Sequence, residues 1–543
     1  MNPTRKKIIW IFLAIIIFIV GYYLRSYLAI HHALALSPYE AFKFGSFGDN
    51  NLFSIKMTSY PIGLLAEKVL NPLLGNFYLI YILGSFVIFL LGKKISGNNL
   101  GGFFAFALFA MAPDNLLQYT GRMYASGLCY IAILTALLFF LYYLENKKNI
   151  NLLAFIFFGI IVIASYHTGA MAYIIILLGI FIIQLLSKKP LDKKIVTSFF
   201  FLSLFYGLWL MIFDDYELWI ISDSLIHFIG FGDWQKAIAI LISGLIGLFT
   251  VITISKNKKT TPWLLGTALI ASTILIFSDT SIFRNIFLSN DSNYYISITT
   301  FNNYLAQIIL IHVFLLLTIK EILRKDNETK NTLLWGWILG LIIIFVGLLL
   351  EGYYVRIIDF SAPLMFIAFG WYLSQKPKFW KITAALTLIL MLVSQIIIYN
   401  DPFTMRRYYD QNEIESAKKI IELNLRGTTI SDLRTASLIN YFGNSNVTFG
   451  MIWMPRFNTV FYDYENINAF IKQYNYKKES QRDINVILSK SMKTVMYSTN
   501  TITKPLTNEI FNFYQENFPQ IYNDELLEVY QIYHTTSTKL LKK

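Results

Sequence analysis

The amino-acid sequence predicts a polytopic α-helical membrane protein that ends in a separate α/β domain. Of 543 residues, 55% are hydrophobic and only 15% are charged, which is too little charge to cover a soluble protein of this length. The hydrophobic residues form nearly uncharged blocks of about 16 to 22 residues, the helix length that crosses a hydrocarbon core about 30 Å thick. Near Asn400 the composition becomes polar, which marks the start of the second domain.

About thirteen of these blocks are predicted to cross the membrane. Their approximate bounds are 8–24, 77–92, 100–113, 124–144, 151–166, 168–186, 195–212, 236–255, 262–278, 304–319, 332–350, 357–374 and 380–399. The blocks 100–113 and 151–166 are short, so a tilted or partly re-entrant path is expected for them. The first block follows Arg5, Lys6 and Lys7 and has no small-residue cleavage site after it, so we interpret it as a retained anchor.

The charged residues assign the two sides of this topology. With a cytoplasmic N-terminus, every main lysine cluster falls in a cytoplasmic connection, as the positive-inside rule requires. These clusters lie at 93–94, 147–148, 188–194, 256–259, 320–330 and 376–381. The acidic residues that fall outside are Glu40, Asp49, Asp114, Asp214, Asp215, Asp223, Asp233, Asp279, Asp291 and Glu351. An odd number of crossings then places the C-terminal domain outside the cell membrane.

The net charge of +13 does not indicate a nucleic-acid-binding protein, because the excess lies in short clusters between apolar blocks. A large soluble enzyme is also disfavoured, since its buried helices would each carry a polar stripe. The single cysteine, Cys129, lies inside an apolar block. An intrachain disulfide bond is impossible, so the exported domain must fold on its core alone.

The long connections are predicted on the outer side, which favours a functional site there. The first outer loop, residues 25–76, has about fifty residues, and the loops 213–235 and 279–303 each have more than about twenty. Most cytoplasmic connections have only about four to nine residues.

Residues 401–543 are predicted to form an extracytoplasmic soluble α/β domain, following the membrane domain of residues 1–400. Residues 412–425 have helical spacing and open with Glu413 and Glu415, acids that suit a helix N-terminus. Further helices are predicted at 433–442, 464–474 and 506–517. Strands are predicted from short apolar runs at Thr428–Ser431, Asn485–Leu488, Thr494–Tyr497 and Leu526–Ile532.

Two carboxylates in the first outer loop, Glu40 and Asp49, are candidate catalytic bases. Both lie among aromatic residues next to the predicted membrane surface. A partly desolvated carboxylate can be tuned to accept a proton from an acceptor hydroxyl. The alternative is that these are solvated acids paired with Lys43 or Lys56.

Arg356, preceded by Tyr353 and Tyr354, is a candidate ligand for a lipid phosphate at the outer mouth of a helix. The alternatives are a snorkelling arginine or an ion pair with Asp359 one turn away. Arg122 and Asp114 share another outer loop and could bind substrate charge or each other.

His167 lies at an outer turn, where it is a candidate binding residue or a packing residue. Asp49 and Asp114 are the candidate ligands for a divalent cation, Mg²⁺ or Mn²⁺.

This layout resembles the GT-C superfamily of membrane glycosyltransferases, with the catalytic subunit of oligosaccharyltransferase as the nearest architecture. Ser37-Pro-Tyr followed by Tyr60-Pro-Ile-Gly63 is similar to the family's Asp-Pro-Tyr and Tyr-Pro-Pro-Gly segments. Ala112-Pro-Asp to Gly121-Arg122 resembles the second outer loop of that family, and Arg356 to Trp371 resembles its lipid-phosphate helix. Asp432-Leu-Arg-Thr and Val529-Tyr-Gln-Ile-Tyr533 resemble the exported domains of archaeal and bacterial relatives.

The resemblance implies an inverting transferase that moves a sugar or glycan from a polyprenyl- or dolichyl-(pyro)phosphate donor to an acceptor at the outer membrane face. Ser37 stands where the family has an acid, so Glu40 or Asp49 would take that role. The Trp-Trp-Asp-Tyr-Gly motif of oligosaccharyltransferases is absent, which favours an acceptor other than asparagine. The alternatives are a polymerase or ligase of surface polysaccharide, a non-enzymatic transporter or flippase, and a chain that keeps the layout without the activity.

Overall fold

The computed structural model describes two compact units. One comprises Met1–Ser26, Leu52–Phe287 and Leu305–Ile398, and the other comprises Tyr27–Asn51, Leu288–Tyr304 and Tyr399–Lys543. The residues described within them are 3–35, 79–112, 125–186, 192–213, 333–334, 336–338, 340, 355–376, 380–398, 408–425, 428–443, 447–449, 484–494, 496–497, 502–503 and 506–532. The predicted spans 236–255, 262–278 and 304–319 and the predicted helix 464–474 lie outside these residues.

Nine described helices coincide with predicted spans, and all lie in the first unit except for the last residues of the first helix, from Tyr27, which belong to the second. They are α1 Pro3–His31, α2 Leu79–Ser96, α3 Asn99–Met111, α4 Ala125–Asn146, α5 Asn149–Ser165, α6 His167–Leu186, α7 Lys193–Phe213, α8 Val355–Ser374 and α9 Trp380–Ile398. Within the predicted span 332–350, residues 333–334, 336–338 and 340 are helical. The helix α1 continues to His31, so the first part of the loop predicted from residue 25 is helical.

By length and composition, three described stretches are sufficient to cross a membrane: Leu79–Ser96, Gly127–Asn146 and Lys193–Met211. Shorter apolar helical stretches occur in the other described helices of this unit. Large aliphatic side chains lie on the outside of the unit, as on α9, where Ile382, Leu386, Ile389 and Val393 are exposed. An apolar exterior of this kind suits lipid as the surrounding solvent.

Glycines allow several of these helices to touch through their backbones. A Cβ atom on Gly179 of α6 would lie 2.2 Å from the carbonyl oxygen of Gly336, and one on Gly336 would lie 2.3 Å from Cα of Ile180. No side chain fits at such a distance, so this contact requires small residues. By contrast, a Cβ atom on Gly207 of α7 would meet nothing within 4 Å.

The second unit contains a five-stranded mixed sheet in the order β4-β3-β5-β9-β8. The strands are β3 Thr428–Ser431, β4 Val447–Phe449, β5 Ile484–Ser489, β8 Gln520–Asn523 and β9 Leu527–Ile532. The strands β3, β4 and β5 are parallel, and β9 is antiparallel to both of its neighbours. Two-residue strands pair outside this sheet: β1 Leu34–Ala35 with β2 Tyr408–Tyr409, and β6 Met496–Tyr497 with β7 Ile502–Thr503.

Helices cover both faces of this sheet because its strands alternate in the direction of their apolar side chains. Val486 and Leu488 belong to a core cluster with Phe511 and Tyr514 of α12, Asn508–Asn517. Ile487 belongs to the opposite cluster, which contains the buried side chains of α10, Gln411–Glu422, and α11, Leu433–Phe442. The described part of this unit is therefore an α/β domain with two core layers.

The predicted strand Thr494–Tyr497 is confirmed at Met496–Tyr497, which form β6, and is wrong at Thr494. Residues Lys490–Lys493 form a 3-10 helix, in which the Ser489 hydroxyl accepts a hydrogen bond from the backbone N–H of Ser491 at 3.2 Å. Thr494 ends this 3-10 helix, because its backbone N–H donates a 2.9 Å hydrogen bond to the carbonyl oxygen of Ser491.

The turn between β8 and β9 is organised by Asp524. Its carboxylate accepts hydrogen bonds of 2.7 Å from the hydroxyl of Tyr522 and from the backbone N–H groups of Leu526 and Leu527. Burial by itself raises the pKa of Asp524, but hydrogen bonds from Ser416, Tyr522 and these backbone groups outweigh it and hold the pKa below its ordinary value.

Candidate functional site

The predicted site residues fall partly within the described chain. Arg356 is the second residue of α8 and His167 is the first residue of α6, and for both the structure describes the backbone. The others lie outside the described residues: Glu40, Asp49, Asp114, Arg122, Tyr353 and Tyr354. The described helix ends that are next to these residues in the sequence can nevertheless be located in the bundle.

The helices α3 and α8 run antiparallel and in close contact. A Cβ atom on Gly370 of α8 would lie 2.5 Å from the carbonyl oxygen of Gly101 and 2.9 Å from the backbone nitrogen of Ala105, both in α3. Because this contact lies near the end of α8 and the start of α3, the extensive packing between them requires opposite directions. At 1.5 Å per residue, Val355 and Met111 lie about 22 and 15 Å from the contact towards the same end.

The helices α1 and α2 reach this same end. A Cβ atom on Gly21 of α1 would lie 2.4 Å from the carbonyl oxygen of Ala110, near the end of α3. The hydroxyl of Tyr81, near the start of α2, donates a 2.9 Å hydrogen bond to the carbonyl oxygen of Phe18. The start of α2, which follows Glu40 and Asp49 in the sequence, therefore lies beside the end of α3, which precedes Asp114.

The start of α6, with His167, also lies at this end. The helices α2 and α4 are parallel neighbours, because Lys94 near the end of α2 forms a salt bridge with Glu145 near the end of α4. The thiol of Cys129, near the start of α4, contacts the carbonyl oxygen of Tyr166 at 3.9 Å. The start of α6 is thus next to the start of α4, which follows Arg122 in the sequence.

The opposite end of the bundle is basic. Asp192 accepts hydrogen bonds of 2.9 Å from Lys147 Nζ and from the Tyr143 hydroxyl, and one of 3.0 Å from the backbone N–H of Lys194. Burial raises the pKa of Asp192, but these bonds and the Lys147 charge hold it below its ordinary value. Lys93, Lys148 and Lys193 are exposed at this end. These described lysines therefore lie at the end opposite the starts of α2, α4 and α6.

The second unit contains a charged cluster centred on Arg434. Its guanidinium forms a two-pronged salt bridge with Glu413 and donates a 2.6 Å hydrogen bond to the carbonyl oxygen of Tyr408. The guanidinium carbon lies 4.8 Å from the centre of the Tyr409 ring, and the Tyr409 hydroxyl donates to the carbonyl oxygen of Arg434 at 3.0 Å. This arrangement joins β2, α10 and α11 into one block.

His32 extends this cluster to the segment after α1. Its Nδ1 lies 2.8 Å from the Asp410 carboxylate, and its ring packs 5.6 Å from the Tyr408 ring between centroids. Asp410 precedes α10, and its backbone N–H donates a 2.9 Å hydrogen bond to Glu413. We refer to His32, Asp410, Glu413, Arg434 and the β1–β2 pair as the clasp.

The sequence signals for the clasp are local. Asp410-Gln-Asn-Glu413 has the spacing of a capping box, and Asp432 caps α11 by accepting a 2.9 Å hydrogen bond from the backbone N–H of Thr435. The Asp432-Leu-Arg-Thr segment therefore has a structural role, in which Arg434 holds Glu413. The partnership of His32 with Asp410 has no such signal.

The described residues contain no group of three or more His, Cys, Asp or Glu side chains able to hold a metal ion. The candidate metal ligands Asp49 and Asp114 lie outside that part of the chain, so the cation site stays a prediction.

No protein-family model matches this chain, and no curated protein sequence matches it. Several solved structures do. The crystal structure of the Archaeoglobus fulgidus oligosaccharyltransferase tethered to an acceptor peptide with the NVT sequon is 12% identical, covering 89% of this chain and 70% of that chain, with a TM-score of 0.52. Its apo form is 11% identical, covering 88% and 70%, with a TM-score of 0.50.

The same archaeal enzyme in complex with Zn and sulfate is 12% identical, covering 88% of this chain and 68% of that chain, with a TM-score of 0.50. ArnT from Cupriavidus metallidurans bound to undecaprenyl phosphate is 10% identical over 98% of this chain, but the TM-score is 0.36. The fold assignment therefore rests on the archaeal structures. At 11–12% identity, these structures show that the chain shares the overall fold of the archaeal oligosaccharyltransferase.

Proposed function

We propose, from the fold that this chain shares with the archaeal oligosaccharyltransferase, that it is a membrane glycosyltransferase with a lipid-linked sugar donor. One observation supports this most. The helix ends that border the predicted site residues in α2, α3, α4, α6 and α8 all lie at one end of the bundle. A single site built from these segments requires that arrangement.

The lysine-rich end of the bundle is assigned to the cytoplasm by the positive-inside rule. The end that gathers the site segments then faces the outside, where nucleotide sugars are not supplied. A polyprenyl- or dolichyl-(pyro)phosphate donor, held in the outer leaflet, suits this location.

Arg356 is the proposed ligand of the donor phosphate. It lies in the first turn of α8, a helix of 20 residues whose N-terminal end carries a partial positive charge. The guanidinium can donate two parallel hydrogen bonds to phosphate oxygens, which makes it suitable for the charge that develops on the leaving group. Tyr353 and Tyr354 precede this turn in the sequence, and Arg122 and His167 are the further proposed binding residues.

Glu40 or Asp49 is the proposed general base. The carboxylate takes a proton from the acceptor nucleophile, which forms a new bond to the anomeric carbon of the sugar. The bond between that carbon and the phosphate oxygen breaks, and its electron pair stays with the lipid phosphate. Attack from the opposite face inverts the anomeric configuration.

A divalent cation would fit this reaction, since it would neutralise phosphate charge. Asp49 and Asp114 would hold Mg²⁺ or Mn²⁺ through oxygen ligands. The archaeal neighbour was crystallised with Zn, which makes a divalent cation reasonable for this chain as well.

A transporter or flippase is disfavoured by the described helices, whose charged residues lie near helix ends, as with Lys94, Glu145 and Arg356. Transporters usually keep ionisable side chains at mid-depth. A polysaccharide polymerase or ligase would use the same donor chemistry, and the acceptor panel below separates it from other transferases.

The test is sugar transfer by the purified full-length chain. Synthetic undecaprenyl- and dolichyl-phosphate and -pyrophosphate sugars are supplied with peptide, lipid and glycan acceptors, and release of lipid phosphate is measured. Glu40→Gln, Asp49→Asn and Arg356→Ala are compared with Lys148→Ala, which removes an exposed cation at the opposite end. We expect Arg356→Ala and one of the two carboxylate variants to lower kcat by about 100-fold or more. Near-normal rates in Glu40→Gln, Asp49→Asn and Arg356→Ala together would reject the assignment.

The side assignment has its own test. In a Cys129→Ala background, Lys148→Cys and Glu509→Cys each place one thiol at an exposed position, one at the lysine-rich end and one in α12. A membrane-impermeant maleimide added to intact cells should label Glu509→Cys and leave Lys148→Cys unlabelled. The reverse pattern would place the proposed reaction centre on the wrong face of the membrane.

A further inference from the structure

The segment that follows α1 is paired with the segment that opens the C-terminal part of the second unit. Leu34 pairs with Tyr409 and Ala35 pairs with Tyr408 in an antiparallel ladder. The two segments are more than 370 residues apart in the chain, since His32 and Asp410 are separated by 378 positions. This contact places the start of the first outer loop within the C-terminal α/β domain.

A ladder of two residue pairs is too short to be stable alone. The side chains on either side supply the remainder. His32 is 14% exposed and bonds to Asp410, and Arg434 binds both Glu413 and the carbonyl oxygen of Tyr408. Tyr409 is 2% exposed and packs in the core cluster that contains Ile414 and Leu527. The strand β2 is thus held by these contacts in addition to its pairing with β1.

The chain that leaves β1 leads directly to Glu40, the fifth residue after Ala35. Five extended residues reach at most about 18 Å, so fixing Ala35 limits the space available to Glu40. The segment between the clasp and Glu40 has only five residues, and a short tethered segment has less conformational entropy than a long one. A contact farther from Glu40 in the sequence would therefore restrict it less.

We propose that residues 32–35 are an integral strand of the C-terminal domain, and that His32 and Asp410 are positioning residues that hold the start of the loop carrying Glu40. The pairing itself is independent of any reaction, whereas the positioning of Glu40 for catalysis rests on the proposed function. The C-terminal domain then holds residues 32–35, the segment from which the loop begins.

The first arm of the test is a cysteine cross-link in the full-length chain, with Cys129→Ala as background. Ala35→Cys with Tyr408→Cys places thiols at paired positions of the ladder. Leu34→Cys with Tyr408→Cys is the matched control, since a shift of one residue turns the side chain to the opposite face. We expect mild oxidation to cross-link the first pair at least tenfold faster than the control. Equal rates, or no cross-link in either, would overturn the proposal.

The second arm measures how firmly the loop is held. Trypsin cleavage at Lys43 is followed in the full-length chain and in His32→Ala, Asp410→Asn and Glu415→Gln. Glu415 lies on the same helix as Glu413 and bonds only to Gln411 among the contacts described, so its variant controls for loss of a charge. We expect cleavage to be at least fivefold faster in His32→Ala and Asp410→Asn and unchanged in Glu415→Gln. Introducing the cross-link between positions 35 and 408 into His32→Ala should return the cleavage rate to that of the wild-type chain. Unchanged cleavage in both clasp variants would overturn the positioning role.

Transfer kinetics then separate this proposal from the proposed function. His32→Ala should lower kcat with little change in the KM for donor, because His32 is placed to hold the loop and not the lipid. If the wild-type chain transfers no sugar, the proposed function fails, while the cross-link and cleavage results still decide the clasp.

Discussion

Removal of the Glu413 side chain should lower the free energy of local opening at the clasp, because Glu413 pairs with Arg434. Glu413 and Arg434 are 21% and 13% exposed, so the pair is mostly shielded from water. Breaking a buried pair from one side costs about 3–5 kcal/mol, and partial exposure reduces this to about 2–3 kcal/mol. Glu413 also accepts the Asp410 backbone N–H, and loss of such a cap costs about 1 kcal/mol. Because these contributions overlap, we expect Glu413→Ala to lower the local opening free energy by about 3 kcal/mol.

Hydrogen–deuterium exchange of the full-length chain measures this local free energy. At about 1.4 kcal/mol per tenfold change, amides of β2 and α10 should exchange roughly 100-fold faster in Glu413→Ala. Glu415→Ala removes the same charge from the exposed side of the helix, and surface changes of this kind usually stay within about 0.5 kcal/mol. Equal exchange over residues 408–422 in the two variants would show that the Arg434 salt bridge does not stabilise this region.

Three further outcomes follow from the packing. Gly179→Leu should prevent α6 from packing against the helical residues within 333–340, so the variant should form aggregates in size-exclusion chromatography. Gly207→Leu is the control and should remain monodisperse, because a Cβ atom there would meet nothing within 4 Å. The pKa of Asp524 is lower in the folded state than in the unfolded state, so its stabilising effect is present above the unfolded pKa and is lost as pH falls through the folded pKa. Asp524→Asn should therefore lose less thermal stability than the wild-type chain when melts are compared from about pH 6 down to about pH 3. An unchanged dependence on pH would contradict the stabilising role of the hydrogen bonds to Asp524. The buried thiol of Cys129 should react with maleimide only after unfolding, so rapid labelling of the native chain would show that α4 is packed differently.

The local elements were largely accessible from the sequence. The helix α11 and the strand β3 have the predicted bounds, 433–442 and 428–431, because each has a strong periodic pattern and α11 has a capping aspartate before it. The short strand β8 was missed, since its side chains are mostly exposed and give no apolar run. The pair β1–β2 was missed because two residues carry no periodicity.

The candidate site was accessible only in part. Residue type and predicted side singled out Glu40, Asp49 and Arg356, but no local pattern relates them to one another. The antiparallel contact of Gly370 with Gly101 and the contact of Gly21 with Ala110 bring the bordering helix ends together. Such contacts depend on the shape of two surfaces, and sequence spacing does not encode them.

By itself, the sequence determined the membrane-spanning character, the distribution of lysines and the α/β nature of residues beyond 400, because hydrophobic length, charge and periodicity are properties of a single segment. Only the tertiary structure decided which helix ends meet, the strand order β4-β3-β5-β9-β8 and the partnership of His32 with Asp410. Those features depend on contacts between segments that are far apart in the chain. The energies of these contacts come from packing and hydrogen bonding between the two segments, so no pattern within one segment predicts them.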